Sequence, residues 1–265
     1  MTAKLSTKRV EKPWGMDTLP APFAAHGDGR VGEIWFEPTA RTEGLLAKYL
    51  FTSEKLSVQV HPSDETSPTG RGKDECWLVL HAESDARLAI GFTETVSPEE
   101  MRVAAEDGSI ESLLEWHAVK AGDFVYLPSG TVHAIGAGLT LVEIQQNTDI
   151  TYRLFDYGRP RELHLDEGIA VAKTGPHPAE CWRTLDKGST QMLVDGPKFR
   201  LAHIAGNDFG SLPVDFGSAL LVLPLAGEAI ISGDTVQPGE AAECQSMAEI
   251  AMTDEARCLV ASIIP

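Results

Sequence analysis

The sequence predicts a mostly β protein, a sandwich or barrel of short strands with one helical interruption. Two observations carry that expectation. Most segments of the 265 residues alternate apolar and polar positions or run β-branched, and Gly, Pro and Asp punctuate them as turns punctuate strands. Only one stretch opens with a clear helix start: Ser97, then Pro98, Glu99 and Glu100. There the proline sits where its missing N–H is not needed, and the acids face the positive end of the helix dipole.

The elements follow in chain order. In SVQVHPSDE, Gln59 and His61 share one face of a strand and Val58 and Val60 the other, because side chains two apart project to the same side. In GKDECW, Lys73 and Glu75 share a face for the same reason. From Ser97 to about Trp116 the apolar positions Met101, Val103, Ala104, Ile110, Leu113 and Leu114 predict helix, divided in two by Asp107-Gly108. This insert near residues 97–116 reads as a lid or packing element without chemistry. The apolar run from Phe124 to Leu127 ends at a Pro-Ser-Gly turn, so His133 stands where a strand begins again. A short helix is expected over residues 165–173. Further on, LLVLPLAGEAIISG reads as two apolar strands around a turn, and RCLVASIIP as another strand.

Length and composition suit two packed β units. Hydrophobic residues at 43% and charged residues at 23% are ordinary globular values, so disorder is not expected. There is no apolar run long enough for a membrane helix and no apolar core of a signal peptide in MTAKLSTKRVEKPWG. Cys76, Cys181, Cys244 and Cys258 are scattered, which indicates neither a disulfide framework nor a cysteine zinc site and fits a reducing cytoplasm. A net charge of −17 would repel nucleic acid and anionic membrane surfaces, so neither is an expected partner. Oligomeric state is not legible.

Gln59, His61, Glu75 and His133 could together bind one divalent metal. Two imidazoles, a carboxylate and an amide oxygen suit zinc and tolerate manganese, iron or cobalt. Each residue also has a plainer reading: a strand-end histidine with a satisfied ring, or, for Gln59, a hydrogen-bond donor behind the ligands. No organic cofactor is expected.

The order Gly122, Pro128, Gly130, His133 resembles the second conserved motif of the cupin superfamily, a jelly-roll β-barrel. Gln59 and His61 stand where the first cupin motif has two histidines, and its glutamate is displaced to Glu75. That pattern resembles the type I phosphomannose isomerases (mannose-6-phosphate isomerases), in their short bacterial branch. The likeness extends through EKPWG, VGEIWFEP, LLAKYLFTSEKLSVQVHPSDE, GKDECW, GDFVYLPSGTVHAIG, TYRLFDY and RELHL, over roughly residues 9–172. It implies a metal-dependent aldose-ketose isomerase that interconverts mannose 6-phosphate and fructose 6-phosphate through a cis-enediol. Its metal would be zinc, held by Gln59, His61, Glu75 and His133. The same chemistry on another sugar, or a sugar-binding cupin that merely retains metal, are the alternatives.

The likeness also makes Arg153 the active-site arginine. Lys73 and Glu143 are the nearest ionisable groups outside the ligand set, and a depressed pKa would let Lys73 act as a neutral base, or as a proton donor in ring opening. Glu143 could equally be a structural partner of Arg153 or an acceptor for a ligand histidine. On so acidic a chain a small sugar phosphate needs local cations; Lys48, Arg71, Lys73, Arg153, Arg159 and Arg161 are candidates, Lys73 and Arg153 foremost. Asp64 and Glu65 read as solvent-facing turn acids, Trp14 and Trp77 as core or pocket walls, and His81 and His164 as structural, with a substrate-side place as the alternative for His164.

Two units are expected: a metal-binding catalytic domain over residues 1–175 and a degenerate cupin-like domain over residues 190–265. Aligning Gly239 with Gly122 sets Gln245 opposite Pro128, Met247 opposite Gly130 and Ile250 opposite His133, so the second unit has lost the ligand.

Overall fold

Short alternating segments become strands, and all their pairings are antiparallel. The computed structural model describes residues 3–23, 29–210, 212–213 and 216–264; Met1 and Thr2 of the N-terminal stretch and residues 24–28 of the first unit lie outside them. In the first part of the chain lie β1 (Thr7–Met16), β2 (Val31–Phe36), β3 (Leu45–Thr52), β4 (Val58–Val60), β5 (Glu75–Ala82), β6 (Arg87–Phe92), β7 (Leu114–Ala118), β8 (Asp123–Leu127), β9 (His133–Ile135), β10 (Leu139–Gln146), β11 (Tyr152–Phe155) and β12 (Trp182–Thr184). They form a sheet ordered β1-β2-β3-β10-β5-β8-β12 and a second ordered β11-β4-β9-β6-β7. The second part supplies β13 (Gln191–Asp195), β14 (Phe199–Ala205), β15 (Leu220–Ala226), β16 (Ala229–Ile231), β17 (Asp234–Val236), β18 (Ala242–Cys244), β19 (Ile250–Met252) and β20 (Arg257–Ile263). These form a sheet ordered β13-β14-β20-β15-β18 and a small one ordered β17-β16-β19.

Strand parity stacks these four sheets into layers. Leu50, Trp77, Val79 and Leu141 of the first sheet meet Leu88, Ile90 and Ile135 of the second. On the other face of the first sheet, Ala47, Tyr49, Cys76, Leu78, Val142 and Ile144 pack against Leu201, Leu221, Leu223 and Leu259 of the third. Ala202, Ile204, Val222 and Val260 then face the small sheet. Strands β3, β5, β10, β14, β15 and β20 thus each feed two cores, one with their odd positions and one with their even.

Helices α1 (Pro98–Asp107), α2 (Ile110–Leu113) and α3 (Leu165–Val171) cover the outer face of the second sheet, where Met101, Ala105 and Ile110 pack on Val58, Val60 and Phe92. The start of α1 is as expected: Ser97 Oγ accepts from Glu100 N at 3.1 Å while Glu100 accepts from Ser97 N at 2.8 Å, a reciprocal cap contributing about 1 kcal/mol. Gly108 ends α1 at φ 85. The insert differs from expectation after Leu113. Residues 114–118 are strand β7, paired with β6, because the alternation there gives one buried edge beside an open sheet margin.

The two parts are tied by polar contacts as well as by the shared core. Lys198 Nζ lies 2.6 Å from Asp64, Thr39 and Thr42 donate to the buried Glu243, and Leu5 N donates to Ala241 O at 2.9 Å. All four cysteines are free thiols. No helix among the described residues is long and apolar enough to cross a membrane.

Candidate active site

The layer between the first two sheets changes character at one end, where the inward positions are charged. Gln59 on β4 pairs in register with His133 on β9, and His61 follows two residues on, so the three project inward as Val58 and Val60 project outward. Glu75 opens β5 with the parity of Trp77, and Glu143 on β10 has the parity of Leu141. Lys48 on β3 sits opposite Glu143 in the ladder.

His61, Glu75 and His133 are 2%, 1% and 1% exposed, and one ligand atom from each lies within 4.8 Å of the others. The backbone sets both imidazole tautomers. His61 Nδ1–H donates to Ile150 O at 2.8 Å and His133 Nδ1–H to Thr131 O at 2.9 Å, which leaves both Nε2 atoms as acceptors beside Glu75, that of His61 accepting from Lys73 Nζ at 3.2 Å. His61 Nε2 is 3.5 Å from Glu75 Oε2, and His133 Nε2 is 3.4 Å from Oε1. Burial holds both histidines below their ordinary range, His133 at about 4, so each is neutral and able to ligate.

Neither oxygen of Glu75 receives an aligned hydrogen bond, although Lys73 Nζ lies in ion-pair contact with Oε2 at 2.7 Å. Burial pushes this carboxyl up to about 8, with Lys73 opposing. A buried, under-satisfied carboxylate between two imidazole lone pairs is the donor set a divalent cation fits. Gln59 Nε2 is 3.2 Å from His133 Nε2, and its Oε1 accepts from Ser57 at 3.1 Å. Turning the amide over would bring Oε1 to the ligand cluster, so Gln59 can serve as fourth ligand.

Lys73 overturns the expectation of a depressed pKa. Burial does lower it, but Glu143 at 3.1 Å and Glu75 together outweigh burial and hold the ammonium charged, above its ordinary range. Glu143 in turn is pulled below its ordinary range against its burial by Lys48, 3.4 Å away, and Lys73. Glu143 therefore pairs with lysines. Arg153 instead donates from Nη1 to Glu162 O at 2.7 Å, while its Nε is buried without a partner. Burial and the nearby Arg161 both weigh against its charge, so an anion beside it would be favoured.

Arg153 and Arg161 line the cleft over the ligand cluster together with Lys12, Lys48 and Lys73. Trp14 and Trp77 form its buried walls. Lys12, Glu33 and Trp35 were missed as site residues. The signal lay in EKPWG and VGEIWFEP, whose spacing reveals no chemistry until β1 and β2 pair beside β3. Arg159 is turned to Asp156 and Lys55 O, and Arg71 to Glu43 O and Asn147 O, so neither joins this cleft. Asp64 is not a solvent-facing acid: it accepts from Gly72 N, Gln146 and Lys198, because the turn folds back under the second unit. His164 stands at the start of α3 without a side-chain cap bond, and its Nδ1 accepts from Arg153 N at 3.3 Å.

Fold and site define a layered antiparallel β protein with a buried two-histidine, one-carboxylate centre beneath a cationic cleft. Similarity to known proteins points more narrowly. The chain is 40% identical over 178 residues to mannose-6-phosphate isomerase ManA of Bacillus subtilis, covering 56% of this chain and 56% of that protein. It is 40% identical over 166 residues to the mannose-6-phosphate isomerase of Streptococcus mutans, covering 58% and 52%. The chain thus spans about half the length of the curated relatives it matches. Among solved structures, mannose 6-phosphate isomerase from Bacillus subtilis superposes with a TM-score of 0.77 at 26% identity, covering 98% of this chain and 99% of that one. A zinc-bound mannose 6-phosphate isomerase superposes with a TM-score of 0.72 at 15% identity over 99% of both chains. No protein-family model matches. The mostly β architecture and the resemblance to phosphomannose isomerases, both expected from the sequence, are borne out.

Proposed function

We propose that the chain is a metal-dependent aldose-ketose isomerase interconverting mannose 6-phosphate and fructose 6-phosphate. The observation that carries this reading is Lys73, held charged between Glu75 and Glu143 at the edge of the ligand cluster. A site that only stored metal would have no use for a buried, proton-bearing amine there.

In this reading His61, Glu75, His133 and the amide oxygen of Gln59 hold zinc, with manganese, cobalt or iron as substitutes. When bound, the metal supplies Lewis-acid polarisation of the sugar oxygens. Lys73 Nζ donates a proton to the ring oxygen as its bond to C1 breaks, and the C1 hydroxyl gives its own proton to solvent, which leaves the open aldehyde. Lys73 is a base only once that step has discharged it; the amine can then take the proton from C2 and return it to C1 while the C2 hydroxyl proton passes to O1, with Glu143 keeping the side chain in place. Arg153 faces the negative charge that develops on the enediol oxygens. Lys12, paired with Glu33 at 3.5 Å, and Arg161, paired with Asp156 at 2.5 and 2.6 Å, are the rim cations that a phosphate would share with those acids on a chain of net charge −17. The four free cysteines are consistent with a cytoplasmic enzyme.

The domain reading belongs to the same proposal: residues 1–175 form the catalytic unit and residues 190–265 an eroded copy. Gly122 and Gly239 both adopt positive φ, 98 and 91, before strands β8 and β18. His133 and its counterpart Ile250 each open a three-residue strand. Between the units, β12 pairs with β8 and closes the edge of the first sheet.

A coupled assay of fructose 6-phosphate formation from mannose 6-phosphate, with and without chelator, tests the function. Turnover that chelation stops and zinc restores supports it. Absence of turnover in zinc-loaded protein overturns it.

A further inference from the structure

We propose that the cavity at one end of the layer between the two units is a second binding site, for a small molecule with an apolar ring-sized body, a hydroxyl and an anionic head group. The layer is apolar along most of its length, and parity shows where it stops being so. Val142 and Ile144 on β10 face the second unit, and Thr140 takes the next position of that face. Phe199 and Leu201 on β14 are followed by His203, and Leu259 and Ala261 on β20 are preceded by Arg257. Three strands thus exchange a core residue for a polar one at the same end.

These residues line a cavity of about 290 Å³ whose apolar walls include Tyr49, Leu78, Leu80 and Leu225. A dry cavity of roughly 150 Å³ already accepts benzene, so a substituted ring fits here. Two lining atoms are buried without a hydrogen-bond partner: His203 Nε2 and Thr140 Oγ1. Each orphan carries a desolvation penalty that a valine or leucine at the same place would avoid. His203 Nδ1–H donates to Ser189 O at 3.0 Å, which leaves Nε2 as an acceptor awaiting a donor. Burial holds this histidine below its ordinary range and so keeps it neutral. A ligand hydroxyl satisfies that nitrogen. Lys187 and Arg257 also line the cavity, and among the described residues neither has an ion-pair partner. On so acidic a chain, two free cations beside an apolar cavity mark the place of a carboxylate.

The site is separate from the metal centre and independent of the isomerase reading. β5 stands between them, turning Glu75 and Trp77 to the metal side and Leu78 and Leu80 to the cavity. The test uses the full chain, with calorimetric titration and thermal shift against phenol, benzoate and 4-hydroxybenzoate. 4-Hydroxybenzoate should bind more tightly than either simpler compound and raise the melting temperature. Arg257→Gln should weaken it at least tenfold while leaving phenol binding unchanged, and Leu225→Trp should fill the cavity and abolish binding of all three. Metal content should stay constant in both variants. Failure of all three compounds to bind at millimolar concentration overturns the proposal, as does binding that both variants leave unaltered. Arg257 is partly exposed at the rim, so its variant keeps the test alive if the tryptophan disturbs folding.

Discussion

Arg153 stands directly across the ladder from Gln59, its partner in the pairing of β11 with β4. Residues paired in this way project to the same face, so the guanidinium is delivered beside the ligand cluster by strand register alone. It has no contact with Glu143, which Lys48 and Lys73 occupy. Arg153→Lys should therefore lower the turnover number by about two orders of magnitude, since lysine keeps the charge and loses the planar fork. Melting temperature and metal content should barely move. A variant with normal turnover and reduced stability would assign Arg153 to the scaffold.

Metal content should rank the ligands. His61→Ala and His133→Ala should each lose the metal, while Gln59→Ala should retain a large part of it, because a neutral amide oxygen neutralises least of a dication's charge. Elemental analysis after gel filtration reads this directly. Equal loss in all three would make Gln59 a full ligand, and full retention in His133→Ala would remove the centre from this position.

Glu143→Gln leaves the buried Lys48 without its carboxylate and Lys73 with Glu75 alone. Breaking a buried ion pair from one side costs about 3–5 kcal/mol, so denaturant unfolding should show a loss near the lower end, with Glu75 still paired to Lys73. A stability change below about 0.5 kcal/mol would show that water already screens the cluster.

Asp64 is held below its ordinary carboxylate range; burial opposes this, and Lys198, Gly72 N and Gln146 outweigh it. A depressed folded pKa contributes stability that is present above the unfolded value, about 3.9, and is lost as pH falls through the folded one. The melting-temperature gap between wild type and Asp64→Asn should therefore be full at pH 6 and shrink as pH falls past the unfolded value toward the lower folded one. A gap independent of pH would mean that the asparagine disturbs packing instead of removing the ion pair.

Gly130 adopts φ 84 in the turn before His133, its N–H donates to His61 O at 2.7 Å, and an added Cβ would meet Val171 O at 2.9 Å. Gly130→Ala should cost at least about 1–2 kcal/mol from the left-handed backbone alone. Metal content should fall with it, since this turn ties the two candidate ligands His61 and His133 together. Unchanged metal content in the folded variant would uncouple the turn from the centre.

Much of the site was legible because alternation is local. Gln59 with His61, and Lys73 with Glu75, share a face by period two, and the turn before His133 is written in Pro128, Ser129 and Gly130. The helix start at Ser97 was equally plain, since a cap is read within four residues. Electrostatic partners were not legible in the same way. Nothing local says that Glu143 faces Lys48 instead of Arg153, because β3 and β10 are 95 residues apart at that contact. The same distance hid the pairing of Asp64 with Lys198 and reversed the expectation for Lys73, whose pKa depends on two carboxylates meeting across a sheet. The strand at 114–118 was hidden by its apolar residues, which fit a helical period until β6 is known to lie beside them.

β5 turns the candidate metal cluster to one side and the packing against the third sheet to the other, and the two are separated only by whether a position is odd or even. Substitutions at 75 and 77 can therefore change the reaction without touching the contact between units, and those at 76 and 78 the reverse. An inserted or deleted residue enjoys no such freedom. It would turn Cys76 and Leu78 toward the metal and send Glu75 and Trp77 into an apolar seam, exchanging both faces at once. Variation along this strand is thus confined to replacement, and its length between the Gly72 turn and Ala82 is the quantity least able to drift.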